Sequence, residues 1–187
     1  MKNKIALITG STSGIGLGIA KHFASLGANI ALHGFGAEDE ISKLVQEIEV
    51  EYKVKCKHYA ADMMIPEQIE TMMGSVSKEF GSIDVLVNNA GIQFVSPIES
   101  FPNDKWESII RIDLVSSFYT MSSSCHTTQV VPYCKSLQYG SRESSKLTHS
   151  VVIGVKCRIA SCDIDVTVAC FLTARCYLFR SFSRRKR

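Results

Sequence analysis

Eight residues, Thr9 to Gly16 ("TGSTSGIG"), do most to limit what this chain can fold into. They follow a short apolar run, Ile5–Thr9, of the kind that forms a parallel strand buried on both faces. They precede a segment with Ile15, Ile19 and Phe23 at four-residue spacing, which reads as a helix stopped at Gly27. A glycine triplet between a strand and a helix has a physical purpose. Gly10 permits a tight turn, Gly14 lets backbone approach a phosphate, and Gly16 allows close packing of helix on strand. The helix start then turns unpaired N–H groups and the positive end of its dipole toward a pyrophosphate.

The same alternation continues to about residue 120. Asn29–His33 reads as a second strand, and Glu38–Tyr52 as a helix with Ile41, Leu44, Val45 and Ile48 on one side. Residues 54–61 read as a third strand interrupted by lysines. A helix over 66–80 starts at Pro66, which suits a first-turn position. Residues 83–87 read as a fourth strand, followed by "NNAG" at 88–91 and a further helix over about 103–119. Strands alternating with helices predict right-handed crossovers and an α/β fold with a doubly wound parallel sheet. At about four strands that sheet is incomplete. A sheet ending there leaves one edge strand unpaired, and this predicts weak stability unless the later residues supply another strand.

Composition changes near Met121. Residues 1–120 carry 10 Lys/Arg and 15 Asp/Glu, a net charge of −5, whereas 121–187 carry 11 and 3, a net charge of +8. Only Cys56 lies in the first part, while Cys125, Cys134, Cys157, Cys162, Cys170 and Cys176 lie in the second. We therefore divide the chain into a nucleotide-binding half, 1–120, and an atypical basic, Cys/Ser-rich segment, 121–187. The abrupt change is the pattern that a frameshift or an alternative coding end leaves. The six later cysteines contain no Cys-x-x-Cys pair, which favours free thiols over zinc. Segments 149–160 and 163–171 are rich in β-branched residues and suit paired strands. The terminal "RSFSRRKR" suits a frayed basic end better than a nucleic-acid patch. No signal peptide or membrane span is legible, and we expect a cytoplasmic chain without disulfides.

The spaced set Thr9-Gly10-x3-Gly14-Ile15-Gly16, then "AAD" at 60–62, then "NNAG" at 88–91, resembles the short-chain dehydrogenase/reductase family. The resemblance implies a Rossmann-like fold, an NAD(P) cofactor and oxidation of alcohols or reduction of ketones. By position it implies that Gly10, Ser13, Gly14, Ile15 and Gly16 line the pyrophosphate and that Phe35 lies near the adenosine. It also implies that Asp62 and Met63 contact adenine and that Asn89, Ala90 and Gly91 pass beside the cofactor ribose. "HGFGAEDE" has no base to pair with a 2′-phosphate, and Ser11 and Thr12 stand where one might be expected, which favours NAD. Glu38, Asp39 and Glu40 would repel that phosphate, but equally suit a solvated helix start. "STSGIGLGIA", "GFG" and "NNAGIQFVSPIESFPNDKWESII" resemble bacterial D-3-hydroxybutyrate dehydrogenases, a group within the family. That likeness implies a small 3-hydroxy acid substrate whose carboxylate meets Gln93, a residue that could also be a solvated loop side chain. It further implies a homo-oligomer through the 103–119 helix.

The family's chemistry requires a Ser and a Tyr-x-x-x-Lys, where the lysine's charge lowers the tyrosine pKa. None of the six tyrosines has a lysine four residues on. Where the family has an Asn in the central helix, this chain has Asp113, whose plainer reading is a half-buried polar group bonded to water. The expectation is a dehydrogenase-like chain that is truncated and catalytically impaired. The alternatives are a non-enzymatic nucleotide-binding remnant or an interaction protein with a basic tail.

Overall fold

The computed structural model describes residues 1–127, 132–140, 150–159 and 165–173, with side chains described through Ser124. Strands β1 (Ile5–Ile8), β2 (Asn29–His33), β3 (Cys56–Tyr59) and β4 (Val85–Val87) form a parallel sheet in the order β3-β2-β1-β4. Helices α1 (Gly14–Ser25), α2 (Glu38–Tyr52) and α3 (Pro66–Phe80) make the crossovers. After a single 3-10 turn, α4 (Asn103–Ile109) runs through a π-helical stretch, Ile110–Val115, into α5 (Ser116–Thr127). Helix therefore crosses Met121, where the composition changes.

Alternation along β1 divides the core in two. Ala6 and Ile8 join Ala20 and Ala24 of α1, Ile30 and Leu32 of β2 and Ile48 of α2 on one face. Leu7 joins Ala31, Met63, Leu86 and the Ile69, Met72, Met73 and Val76 stripe of α3 on the other, closed by Tyr119 and Met121 of α5. A strand buried on both faces reads as an unbroken apolar run because neither face is left for polar residues. The sheet is doubly wound, as the sequence predicted.

The four-residue spacing in α1 does not mark its buried face. Ile15 is 74% exposed, while Gly16, Ala20 and Ala24 are buried against the sheet. Small side chains let the helix approach closely, and this turns Ile15 outward and leaves Ile19 and Phe23 at the margin of the core. Strand β3 is also shorter than expected. It is fixed to α3 through Lys55 and Lys57, whose ammonium groups each lie 2.8 Å from the Glu79 carboxylate. Their hydrogen bonds hold that carboxyl down at about 2.

Strands β5 (Pro132–Gly140), β6 (Ser150–Ile159) and β7 (Asp165–Thr173) form a separate antiparallel sheet, β5-β6-β7. The two segments read as strands do pair, and β5 is a third that sequence pattern did not single out. Among the described residues, no strand is hydrogen-bonded to the second edge of β4. The six later cysteines and "RSFSRRKR" lie outside the residues whose side chains are described.

Candidate functional site

The ends of β1, β2, β3 and β4 meet at one rim of the sheet, the place where open α/β folds hold ligands. Here the glycine loop is fixed before any ligand is considered. Gly10 and Gly14 both have positive φ, 63° and 56°, which a side chain would strain. A Cβ on Gly10 would lie 2.9 Å from the Ala90 Cα, and one on Gly16 would strike the Gly10 carbonyl and the Asn89 amide. Gly14 differs: nothing lies within 4 Å of where its Cβ would be. Of the triplet, it is the glycine that faces open space. Ser13 stands at the N-cap of α1 in an extended conformation, and its hydroxyl makes no cap bond. The first-turn N–H groups are therefore not capped by that side chain, and no acid lies in that turn.

The "NNAG" turn is bound to this loop. Thr9 Oγ1 accepts from the backbone N–H groups of Asn89 at 2.9 Å and Ala90 at 3.0 Å. Asn89 Nδ2 donates to the carbonyls of Thr9 at 2.9 Å and Gly10 at 3.0 Å. Asn89 thus spends its amide N–H groups on the glycine loop, while Ala90 is half-buried and Gly91 exposed. Asn88, one residue earlier, accepts from Thr120 Oγ1 at 2.7 Å.

At the end of β2, Phe35 is 73% exposed, and its carbonyl accepts from the Thr12 hydroxyl at 2.9 Å. Ser11 is fully buried and donates to the Ile8 carbonyl at 2.7 Å. Neither hydroxyl is merely a stand-in for a missing base, because each fastens the loop to a neighbouring strand end. Glu38, Asp39 and Glu40 occupy the exposed first turn of α2. A groove of about 710 Å³ beside Phe35, between α2 and β3, is lined in part by Gly36, Ile41, Val45 and His58.

After β3, Asp62 Oδ1 accepts from the Met64 N–H at 2.8 Å, and the Asp62 N–H donates to Gln68 Oε1 at 2.8 Å. Met63 is buried in the α3-side core, so its side chain supports the rim from beneath and only its backbone is left for a ligand. Gln93 is exposed on the loop after Gly91.

Asp113 lies within the π-helical stretch and is buried. Its Oδ1 accepts from the Ile92 N–H at 2.9 Å. Burial pushes its carboxyl above the usual range, partly opposed by that N–H. It is tied to the loop that carries Gln93, a bond its position in the sequence did not disclose. Sequence reasoning also missed His33. This buried imidazole stands at the end of β2, with Gly10 on one side and Ala61 on the other.

The family described as short chain dehydrogenase matches residues 4–130. The chain belongs to the short-chain dehydrogenase family. A D-beta-hydroxybutyrate dehydrogenase of Rhizobium meliloti (strain 1021) is 52% identical over 118 residues, 63% of this chain and 46% of that protein. A D-beta-hydroxybutyrate dehydrogenase of Cupriavidus necator is 44% identical over 156 residues, 81% of this chain and 56% of its own length. The chain thus spans about half the length of these short-chain dehydrogenases. Among solved structures, a blue fluorescent protein from a metagenomic library in complex with NADPH superimposes with a TM-score of 0.64 at 29% identity, covering 68% of this chain and 52% of that one. An NAD+-bound xylitol dehydrogenase superimposes with a TM-score of 0.62 at 28% identity, covering 67% and 48%. No helix among the described residues is long and apolar enough to cross a membrane.

Proposed function

We propose that this short-chain dehydrogenase chain binds NAD at the rim of its parallel sheet, and that these residues do not by themselves turn over a 3-hydroxy acid. The observation that carries the binding half is Gly14: a positive-φ glycine facing open space at the start of a twelve-residue helix whose N-cap side chain makes no cap bond. Such a cradle fits a pyrophosphate, which the helix N–H groups and dipole favour. Gly10, Ser13, Ile15 and Gly16 complete it. Phe35 would flank the adenosine, and the Asp62 carboxylate and Met63 backbone would meet adenine. The backbone of Asn89, Ala90 and Gly91 would border the ribose.

Choice of NAD over NADP rests on what surrounds Phe35. No Lys or Arg lies between Gly34 and Glu40, and Lys57 on the neighbouring strand is paired with Glu79. A 2′-phosphate would meet Glu38, Asp39 and Glu40, with Lys43, 3.9 Å from the Asp39 carboxylate on the exposed helix face, as a partial offset.

The nicotinamide supplies hydride transfer, and the protein must supply the proton transfer that accompanies it. That is where this chain falls short. A tyrosine acts as acid and base when a nearby cation lowers its pKa. Here Tyr59 is pushed the other way, up to about 12, by burial and by Glu79. Tyr52 is also raised, first by its bond to Glu51. No Tyr-x-x-x-Lys occurs in the 187 residues, so the pairing that would poise a phenol for a substrate oxygen is missing from the sequence. Likeness to the two D-beta-hydroxybutyrate dehydrogenases supports a small 3-hydroxy acid as the ancestral substrate. Gln93 is then the amide that would donate to its carboxylate. The 103–119 helix, with Trp106 and Phe118 exposed, is the surface through which we expect two copies to associate.

Titration of purified protein with NAD and NADP, followed by a search for NADH formation from D-3-hydroxybutyrate, tests this reading. We expect saturable NAD binding, NADP at least about tenfold weaker, a gap of 1.4 kcal/mol, and no turnover. Turnover, or equal affinity for NADP, would overturn it.

A further inference from the structure

One side chain holds the glycine loop from below. The His33 Nδ1 accepts from the Gly10 N–H at 3.1 Å, and its Nε2 lies 3.0 Å from the Ala61 carbonyl. Gly10 offers only a donor there and Ala61 only an acceptor. The imidazole must therefore be neutral with its proton on Nε2. The backbone of the same residue adds two more ties, its N–H donating to Ser11 Oγ at 3.0 Å and its carbonyl accepting the Ser11 N–H. Gly10 and Ser11 on one side and Ala61, next to Asp62, on the other are thus joined through a single buried residue.

We propose that neutral His33 is a positioning residue that latches the Gly10 turn to the end of β3, and that its protonation in acid releases the turn and weakens dinucleotide binding there. The second half rests on the reading of the glycine loop as a dinucleotide site. Protonation places a hydrogen on Nδ1, so two donors confront each other and the bond to Gly10 is lost.

The surroundings give the imidazolium little help. On β3, the charge of His58 acts against the imidazolium, and its own Nε2 donates to the Gly34 carbonyl at 2.8 Å. Tyr59, its register partner on β3, stays neutral to about 12. The loop offers the backbone of Gly10 and the Ser11 hydroxyl, and α3 packs this face of the sheet with apolar side chains. Burial, against the bond to Ala61 and with the charge of His58, holds the His33 pKa below its ordinary value. The unfolded chain therefore takes up this proton first, at about pH 6.5. The latch contributes fully above that pH and is lost as pH falls through the lower, folded pKa.

The test uses the full chain and two readouts. Nitrogen chemical shifts of the His33 ring and the protection factor of the Gly10 amide are followed from about pH 7.5 to about pH 5, without ligand. The Kd for NAD is measured over the same range. His33→Asn serves as a comparison, since an amide oxygen can accept from Gly10 but does not titrate. We expect an Nε2–H ring at the upper pH, Gly10 protection that falls as the ring protonates, and a Kd that rises about tenfold, the worth of one lost hydrogen bond. In His33→Asn both quantities should be flat. Should that variant not fold, the ring shifts and Gly10 protection of the unaltered chain still decide. An Nδ1–H ring, protection that ignores its protonation, or a Kd that stays constant while protection falls would each overturn the latch. Protection that follows the ring with no NAD binding at any pH supports the latch and sinks the cofactor reading instead.

Discussion

Gly14 and Gly16 lie two residues apart, yet a methyl group added to each should fail differently. At Gly16 it would meet the Gly10 carbonyl and the Asn89 amide, so Gly16→Ala forces the loop and "NNAG" apart. We expect a loss of about 1–3 kcal/mol, read as an earlier urea midpoint. At Gly14 there is room, and the cost is only the left-handed backbone, about 1–2 kcal/mol. The methyl would stand in the cradle, however, so NAD affinity should fall by more than that strain accounts for. Asp113 offers a third single-residue test. Its folded pKa is raised, so between the unfolded value of about 3.9 and the folded one the native state binds more protons. Stability from this group therefore falls as pH rises through that window. Asp113→Asn retains an acceptor for the Ile92 N–H and removes the buried charge. It should raise the melting temperature at neutral pH, with the gain shrinking toward pH 4.

At the scale of elements, the unbroken apolar run of β1 and the one-sided stripe of α2 were legible because burial on two faces and on one face leave different patterns. The face of α1 was not. Pattern reading gives weight to large side chains such as Ile15, whereas contact with a twisted sheet can select the smallest, here Gly16, Ala20 and Ala24. Ala20→Leu should accordingly cost about 1–3 kcal/mol in a denaturant titration. Ile15→Ala should leave stability within about 0.5 kcal/mol of the unaltered chain. The candidate site was legible only where spacing carries it, in the glycine triplet, "AAD" and "NNAG". His33 escaped because its partners lie 23 and 28 residues away along the chain. A polar residue closing an apolar strand gives no sign of them. The π-helical stretch escaped for a similar reason: its residues have ordinary helical character, and the wider turn shows only in the backbone.

For the whole molecule, the exposed Trp106 and Phe118 on the helix that crosses Met121 bear on assembly. If two copies meet there, sedimentation should show a dimer, and Trp106→Glu with Phe118→Glu should return it to monomer without moving the far-ultraviolet spectrum. The bonds from Thr9, Ser11, His33 and Asn89 bear on a different property. They hold the glycine loop in shape from within, leaving a dinucleotide little to rearrange when it arrives. Capture should then be paced by collision: in stopped-flow mixing, the observed rate should climb in a straight line with NAD concentration and show no plateau.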